Sequence, residues 1–232
     1  RVKDPKTAEK LIPKDHGFGM QRLPLETNYF EVFNRENVEL VDISKTPIQR
    51  VTPEGIQTSE THFDLDLIVY ATGFDAITGG FDQIDIQGTN GVRLRENWRE
   101  GPSTYLGIMT HGFPNLLMIA GPQSVSGSTN FPRAIETGVD WVTRLLVHAF
   151  DRSFIRLEAQ EAAERSWGES VRRAQHRMLL HNGRGWFTGY NSNIPGHEVG
   201  KARYIAYWGG APKYAAHLKE AADNGYGGID MR

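Results

Sequence analysis

The segment LDLIVYATGFDA, residues 65–76, places a compact apolar run directly before a small residue, a hydroxyl, a glycine and an aromatic ring. We predict a buried strand over Leu67–Ala71, because such runs are typical of parallel sheets covered on both faces. Ligands of these sheets bind at the carboxyl ends of the strands. There Gly73 lets the backbone approach a bulky polar ligand, Thr72 can donate a hydrogen bond, and Phe74 follows. An ordinary strand-to-loop turn is the alternative.

A second apolar run ends in the same way. Leu116–Ala120 is predicted to be a strand, and it stops at Gly121-Pro122, before a loop of small residues and a helix over Pro132–Phe150. The N-terminus of such a helix presents free N–H groups and partial positive charge, which suit an anion or an electron-rich carbonyl. A purely structural helix cap is the alternative. Two such strands indicate one ligand at one sheet edge.

No motif is catalytic by itself, since the sequence contains no P-loop, no GxSxG elbow and no HExxH. The eight histidines are scattered, and no pair has metal-ligand spacing with an acid, so we predict no metal site. There is no cysteine, which excludes disulfides and thiolate chemistry and fits a reducing cytoplasm.

Composition limits the class of protein. The chain has 232 residues, 39% of them hydrophobic, and a formal net charge of -2. That balance argues against nucleic acid or an anionic membrane surface as a partner. No apolar run approaches the roughly 20 residues of a membrane helix. We therefore predict a soluble, cytoplasmic globular protein.

The remaining elements follow from capping, periodicity and turn signals. We predict a first helix with Asp4 as N-cap and Pro5 at its first position, and a hairpin pairing 48–51 with 55–58. Further predicted elements are a strand over Val38–Ile43, a hairpin signal at Gly88–Gly91, a helix from Leu157 to about Leu180, a strand over Ala202–Trp208 and a helix from Pro212 to about Asn224.

Several stretches together resemble one family. They are Gly19-Met20-Gln21-Arg22, the run from Tyr29 to Val38, Ala71-Thr72-Gly73-Phe74-Asp75, Gly121-Pro122 with its serine-rich loop, and Trp186-Phe187-Thr188-Gly189 with Asn193-Ile194-Pro195-Gly196. With these motifs over nearly its whole length, the chain resembles the C-terminal part of a type I Baeyer–Villiger monooxygenase. The ATGFD stretch is shared with other flavin monooxygenases, whereas the context of Arg22 and the W-x-x-G…N-x-P-G segment are typical of the ketone-oxidising branch.

The resemblance implies an α/β fold, part of a flavoprotein with two Rossmann-like dinucleotide-binding domains, one for FAD and one for NADPH. Residues 1–21 would be a linker and helical segment, 22–66 the C-terminal part of the NADP-binding domain, and 67–232 the C-terminal part of the FAD-binding domain. The family's GxGxxG fingerprints do not occur in the chain. An N-terminal half of the same enzyme is therefore an expected partner, and the segment alone is expected to be inactive.

The resemblance also implies the reaction. In this family NADPH reduces FAD, the reduced flavin captures O2 as a C4a-peroxide, and this species converts a ketone to an ester or lactone. The family's active-site arginine falls on Arg22. A permanent cation with several fixed donors stabilises negative charge in a water-poor pocket, and lysine is less suitable because it can lose its proton there. A solvated loop arginine is the alternative.

Other site residues are carried over by position. Trp186 matches a tryptophan that contacts the nicotinamide half of the cofactor, in a loop that can exclude water. Asn130 and Phe131 match the end of the flavin-contacting loop. The resemblance also implies that Ala71, Thr72, Gly73 and Phe74 form the return crossing between the two domains, where they would bind cofactor. The substrate pocket is expected to include Ser126, Gly127 and Ser128.

Gln21 departs from the pattern, because many relatives carry there a lysine that holds the 2′-phosphate of NADP. A neutral amide bonds a phosphate without the strength of a charged donor, so the choice between NADPH and NADH stays open. Two other functions also stay open. One is a related flavin monooxygenase that oxidises sulfur or nitrogen, and the other is a non-catalytic fragment acting as an interaction module.

Overall fold

A computed structural model describes residues 1–21, 23–75, 77–124, 129–183, 185–190 and 203–232, without the side chains of Asn182 and Trp186. The chain divides into two compact units. The first unit comprises Arg1–Gly17 and Leu23–Gly73, and the second unit comprises Phe18–Arg22 and Phe74–Arg232.

The first unit combines a short helix with an antiparallel sheet. Helix α1 (Pro5–Leu11) begins where the sequence predicts, because the Asp4 carboxylate accepts the N–H of Thr7 at 2.8 Å. The strands are β1 (Ile48–Thr52), β2 (Gly55–Thr58) and β3 (His62–Asp64), in the order β1-β2-β3. The predicted β1–β2 hairpin is confirmed, with Thr52 paired to Gly55 across the turn.

The second unit is mainly helical among its described residues. Its elements are α2 (Gly79–Asp82), α3 (Leu94–Asn97), α4 (Phe131–Phe150), β4 (Leu157–Ala159), α5 (Glu161–Gln175), α6 (Ala211–Asp223) and β5 (Ile229–Met231). The strands β4 and β5 pair antiparallel. The core lies between α4, α5 and α6, where Trp141 donates its indole N–H to the carbonyl of Leu218 at 2.8 Å.

The helix predictions hold better than the strand predictions. The helices predicted to start at Pro132 and Pro212 are confirmed within a residue or two. The predicted helix over 157–180 is instead strand β4, then α5, then a 3₁₀ turn at Leu179–Asn182, because β4 pairs with a distant partner that the local sequence does not reveal. At Gly88–Gly91 the residues form a 3₁₀ turn closed by the bridge of Gln87 with Arg93.

Four predicted strands are not formed: 38–43, 67–71, 116–120 and the described part of 202–208. Leu67, Val69 and Tyr70 are all more than 70% exposed, so the run over 67–71 is not a buried strand. A strand needs a neighbouring strand that pairs with it along its length, and within the described residues these four segments make isolated backbone hydrogen bonds at most and belong to no sheet. The prediction of a buried parallel strand is therefore wrong for this chain taken by itself.

Candidate functional site

The loop that follows Gly121-Pro122 begins with a tightly fixed turn. Gln123 is buried with a positive φ of 67°, and its N–H donates to the carbonyl of Ile205 at 2.8 Å. The hydroxyl of Ser124 donates to the carbonyl of Gly121 at 2.6 Å. A Cβ built on Gly107 would lie 2.5 Å from the backbone nitrogen of Ser124, so Gly107 allows the two segments to touch.

The Gln123 side chain ties this turn to residues 102–104. Its amide donates to the carbonyl of Pro102 at 2.7 Å, and its oxygen accepts the N–H of Thr104 at 3.2 Å and the Thr104 hydroxyl at 2.9 Å. Thr104 is fully buried. Sequence reasoning missed both residues, since an isolated glutamine or threonine carries no motif.

Replacing Gln123 by alanine is expected to lower the free energy of unfolding by about 3 kcal/mol, because it leaves a buried carbonyl and a buried N–H without partners. Urea denaturation measures the effect. The matched control is Gln87→Ala, at an exposed glutamine, with an expected change below about 0.5 kcal/mol. Equal effects for the two variants would contradict the role given to Gln123.

The N-terminus of α4 leaves one donor available. Asn130 is the N-cap, and its side-chain oxygen accepts the N–H of Arg133 at 3.2 Å. The N–H of Ala134 is bonded to the Asn130 carbonyl, and Pro132 has no N–H. Among the first four positions of the helix, Phe131 alone keeps an N–H without a partner in the described chain. This donor, together with the helix dipole, suits one electron-rich oxygen or nitrogen atom.

A cavity of about 670 Å³ lies beside this helix end. Its walls include Ser124, Asn130 and Arg133 on one side and Tyr207 and Pro212 on the other. Only 5% of Tyr207 is exposed to solvent, and this burial raises the pKa of its phenol. The cavity is large enough for part of an organic cofactor.

The loop that carries Trp186 is held by Thr188. The Thr188 N–H donates to the carbonyl of Gly185 at 3.0 Å, and its hydroxyl accepts the N–H of Gly185 at 3.2 Å. The carbonyl of Thr188 accepts the backbone N–H of Arg203 at 3.0 Å. Gly189 has a φ of +73°, and a Cβ built there would lie 2.7 Å from Cβ of Arg203. The backbone of residues 185–190 is therefore packed on Arg203.

Arg203 connects this loop to the turn after α3. Its guanidinium donates to the carbonyls of Arg99 at 2.7 Å and Trp98 at 2.9 Å. Only 6% of the residue is exposed to solvent. Desolvation lowers its pKa, and the charge of Asp82 opposes that shift. Because Gln123 bonds to Pro102 on the same stretch, residues 98–104 anchor both loops of the candidate site.

Two histidine rings are in contact just before the Trp186 loop, with their planes tilted by 42°. The centroids of His176 and His181 are 3.9 Å apart, and Nδ1 of His181 is buried without a hydrogen-bond partner in the described structure. Desolvation lowers the pKa of His181, and the charge of His176 lowers it further. Nε2 of His176 lies 3.3 Å from the Tyr204 hydroxyl.

Acidification is expected to destabilise this region. Below the ordinary histidine pKa of 6.5, the unfolded chain binds a proton that the folded protein resists at His181, so the free energy of unfolding falls as the pH drops from 6.5. Urea denaturation at pH 7.5 and 5.5 measures the loss. His181→Gln is expected to reduce the loss, and an unchanged loss in that variant would contradict the assignment.

The structure brings some predicted site residues together. Met20 and Gln21 lie against the residues before Trp186, since a Cβ built on Gly183 would lie 3.0 Å from the Met20 carbonyl, and one on Gly185 would lie 3.9 Å from Nε2 of Gln21. Arg22, Ser126, Gly127, Ser128 and the side chain of Trp186 lie outside the described structure.

The segment Ala71–Phe74, expected to bind cofactor, lies at the surface of the described structure. All four residues are exposed, Phe74 at 93%. Gly73 has a φ of +88°, which favours glycine, but no atom lies within 4 Å of a Cβ built on it. The backbone conformation therefore favours glycine at position 73. No described part of the protein packs against the position of its missing side chain.

The described residues form neither a metal-binding cluster nor a membrane-spanning helix. Among them, no group of three or more metal-ligating His, Asp or Glu side chains is present. Within the same residues, no helix combines the length and the apolarity needed to cross a membrane.

Comparison with known proteins identifies relatives over the whole chain. The chain is 46% identical over 231 residues to the 2-oxo-Δ3-4,5,5-trimethylcyclopentenylacetyl-CoA monooxygenase of Pseudomonas putida, with 100% of this chain and 42% of that protein covered. It is 41% identical over 233 residues to the cyclopentanone 1,2-monooxygenase of a Comamonas strain, again with 100% and 42% covered. The chain thus spans less than half the length of these relatives. No family model matches it.

A solved structure shows the same fold. The crystal structure of OTEMO in complex with FAD and NADP matches with a TM-score of 0.90 and 45% sequence identity, covering 100% of this chain and 43% of the other. The chain therefore has the fold of part of a flavoprotein that binds both cofactors.

Proposed function

The chain belongs to the type I Baeyer–Villiger monooxygenase family, and we propose that it works, within a complete enzyme of this family, in the oxidation of a ketone to an ester or lactone. The reaction consumes O2 and NADPH and depends on bound FAD. Ketone, O2 and the rest of the enzyme are its partners in this proposal, and the cytoplasm is its location.

The observation that carries the proposal is the match over the entire chain, at 45% identity, to a structure that contains FAD and NADP. The geometry of the α4 N-terminus is independent support. The unpartnered N–H of Phe131 and the helix dipole fit the electron-rich pyrimidine edge of a flavin, beside a cavity of about 670 Å³. The residues of the chain thus fit the cofactor that the family uses.

FAD, when bound and reduced by NADPH, supplies the activation of dioxygen. In our proposal the chain contributes the surroundings of that chemistry. Asn130 and Phe131 hold the flavin edge, and the segment Ala71–Phe74 approaches a cofactor or a domain junction. Gln21 and the Trp186 loop lie on the nicotinamide side in this proposal, and the packing of residues 19–21 against Leu179, Gly183 and Gly185 supports placing them together.

Arg22 is proposed to stabilise the negative charge that develops on the ketone oxygen, and Ser126–Ser128 to border the substrate. The domain boundaries inferred from the sequence are part of the same proposal. Residues 1–21 form a linker and helical segment. Residues 22–66 complete the NADP-binding domain, and residues 67–232 complete the FAD-binding domain.

The visible absorption spectrum of the purified complete protein is the first test. We expect a flavin band that bleaches with NADPH without oxygen and returns in air, and an ester product when a cyclic ketone is present. The same preparation is assayed with a sulfide, and with NADH in place of NADPH, because Gln21 leaves the 2′-phosphate without a lysine at this position. A protein that stays colourless with added FAD would overturn the proposal.

A further inference from the structure

Another cavity, of about 390 Å³, lies between helices α5 and α6. The residues of α5 that line it are spaced by three, one and three positions from Ala163 to Ser170, and those of α6 repeat this spacing from His217 to Asn224. Each helix therefore presents one face to the cavity. We call the space between these two faces the α5–α6 groove. It shares no described lining residue with the cavity beside α4, and its size suits a small molecule.

Small residues keep the groove open. Ala163 and Ser166 line it on α5, and Gly228 lines it beyond the two helices. A Cβ built on Gly228 would lie 2.5 Å from the hydroxyl oxygen of Tyr105, so the glycine leaves room for that hydroxyl at the groove. Burial raises the pKa of the Tyr105 phenol, and the charge of Glu220 raises it further. The phenol therefore keeps its proton at neutral pH and can donate a hydrogen bond.

Trp167 lines the groove and carries a buried donor without an acceptor. Only 4% of the residue is exposed, and its ring packs against those of Tyr207 and His217, with ring centroids 4.8 and 5.3 Å away. Its Nε1 has no hydrogen-bond partner in the described structure, whereas the indole N–H of Trp141 donates to a backbone carbonyl. A buried N–H that lacks an acceptor is destabilising, and most buried N–H groups in proteins have one. An oxygen atom of a ligand in the groove would supply the acceptor.

Glu220 supplies the charge of the groove. Apart from the titratable His217, it is the only residue of the described lining that carries a full charge at neutral pH. Its Oε2 lies 3.9 Å from Nδ1 of His217, which is beyond hydrogen-bond distance, and its side chain is 72% exposed. The carboxylate is therefore available to a cation from solution.

We propose that the α5–α6 groove binds a small organic ammonium ion that also carries a hydroxyl or carbonyl oxygen. The ammonium group pairs with the carboxylate of Glu220 through charge-assisted hydrogen bonds, and the oxygen accepts the N–H of Trp167. Leu106 and Ala221, which also line the groove, cover the carbon atoms of the ligand. The inference does not use the flavin reaction, so it holds or fails separately from the proposed function.

Isothermal titration calorimetry on the purified complete protein tests the proposal, with ethanolamine as the probe in phosphate buffer. We expect a dissociation constant of about 1 mM, which is ordinary for so small a ligand. Ethylene glycol has the oxygen without the charge and is expected to bind at least about 10-fold more weakly. Glu220→Gln is expected to weaken ethanolamine binding to the same extent. The matched control is Glu169→Gln, at an exposed carboxylate of α5 outside the groove, which should leave the binding unchanged.

Trp167→Phe tests the second contact, because phenylalanine keeps an aromatic ring and removes the N–H. We expect it to weaken ethanolamine binding about 5-fold and to change the binding of propylammonium, which has no oxygen, by less than about 2-fold. Retained propylammonium binding also shows that the variant is folded around the groove.

No binding of either ammonium ion to the unchanged protein would overturn the proposal, since the groove would then hold only water. Equal binding of ethylene glycol and ethanolamine would overturn the role of charge. Equal losses for both ammonium ions in a Trp167→Phe protein with an unchanged circular dichroism spectrum would overturn the contact with the ligand oxygen.

Discussion

Arg22→Ala is expected to lower ester formation by at least about 100-fold while NADPH oxidation in the presence of FAD continues. The guanidinium is proposed to meet the ketone oxygen as negative charge develops there, and alanine leaves that charge without a fixed donor. In the proposed reaction the flavin would be reduced by NADPH before this step, so we expect NADPH oxidation to survive the change. The measurement is NADPH consumption beside ester yield, determined by gas chromatography in the same reaction.

Arg22→Lys distinguishes charge from shape. Lysine keeps a positive charge but offers no planar set of donors, and it loses its proton more readily in a dry pocket. We expect residual ester formation between that of alanine and arginine, with a stronger decline at high pH. A normal ester yield in Arg22→Ala would contradict the assigned role. Loss of NADPH oxidation together with the ester would place Arg22 at cofactor binding instead.

Local signals were sufficient for the helices of this protein. Asp4 as an N-cap and Pro132 in a first turn both predict helix starts, because each signal acts within one turn of the helix. The hairpin turn before Gly55 is local in the same sense. The structure adds that Asn130 is the N-cap of α4 and that, among the first four helix positions, Phe131 alone keeps an N–H without a partner in the described chain.

The strands failed for the complementary reason. An apolar run such as Leu67–Ala71 indicates side chains that are more stable when buried. It does not identify the segment that would bury them. In the described residues no strand pairs with this run, and its side chains are exposed. Exposed apolar side chains of α4, among them Val139 at 42% and Phe150 at 84%, show the same pattern in a helix.

The contacts that organise the candidate site were beyond sequence reasoning. Gln123 bonds to Pro102 and Thr104, and Arg203 bonds to carbonyls more than 100 residues earlier in the chain. Side chain to backbone contacts over such separations leave no pattern in a single sequence. The resemblance predicts a role for Trp186, but it does not predict that the loop carrying this residue packs on Arg203.

Arg203→Met is the second variant for which we expect a large effect, in this case on how the reaction is completed. Methionine fills much of the same space, but it leaves the carbonyls of Trp98 and Arg99 without their donors, and this loosens residue 203, on which Gly189 and the rest of the loop pack. A buried hydrogen bond from a charged group contributes about 1.5–3 kcal/mol, and 1.4 kcal/mol is about a factor of ten in a population. We expect the loop to spend at least about ten times longer away from its anchored position.

If the Trp186 loop excludes water, a loop that leaves its anchored position more often changes the ratio of hydrogen peroxide to ester among the products. We expect the hydrogen peroxide released per ester formed to rise about 10-fold at saturating ketone, measured with a peroxidase-coupled assay. Arg99→Met is the matched control, because it removes an exposed arginine side chain and leaves the Arg99 carbonyl in place. A purely structural role for Arg203 predicts a lower thermal midpoint with an unchanged product ratio. That outcome would show that Arg203 contributes to the stability of the fold but does not affect how much hydrogen peroxide is released per ester. The water-excluding role proposed for the Trp186 loop would then not require Arg203.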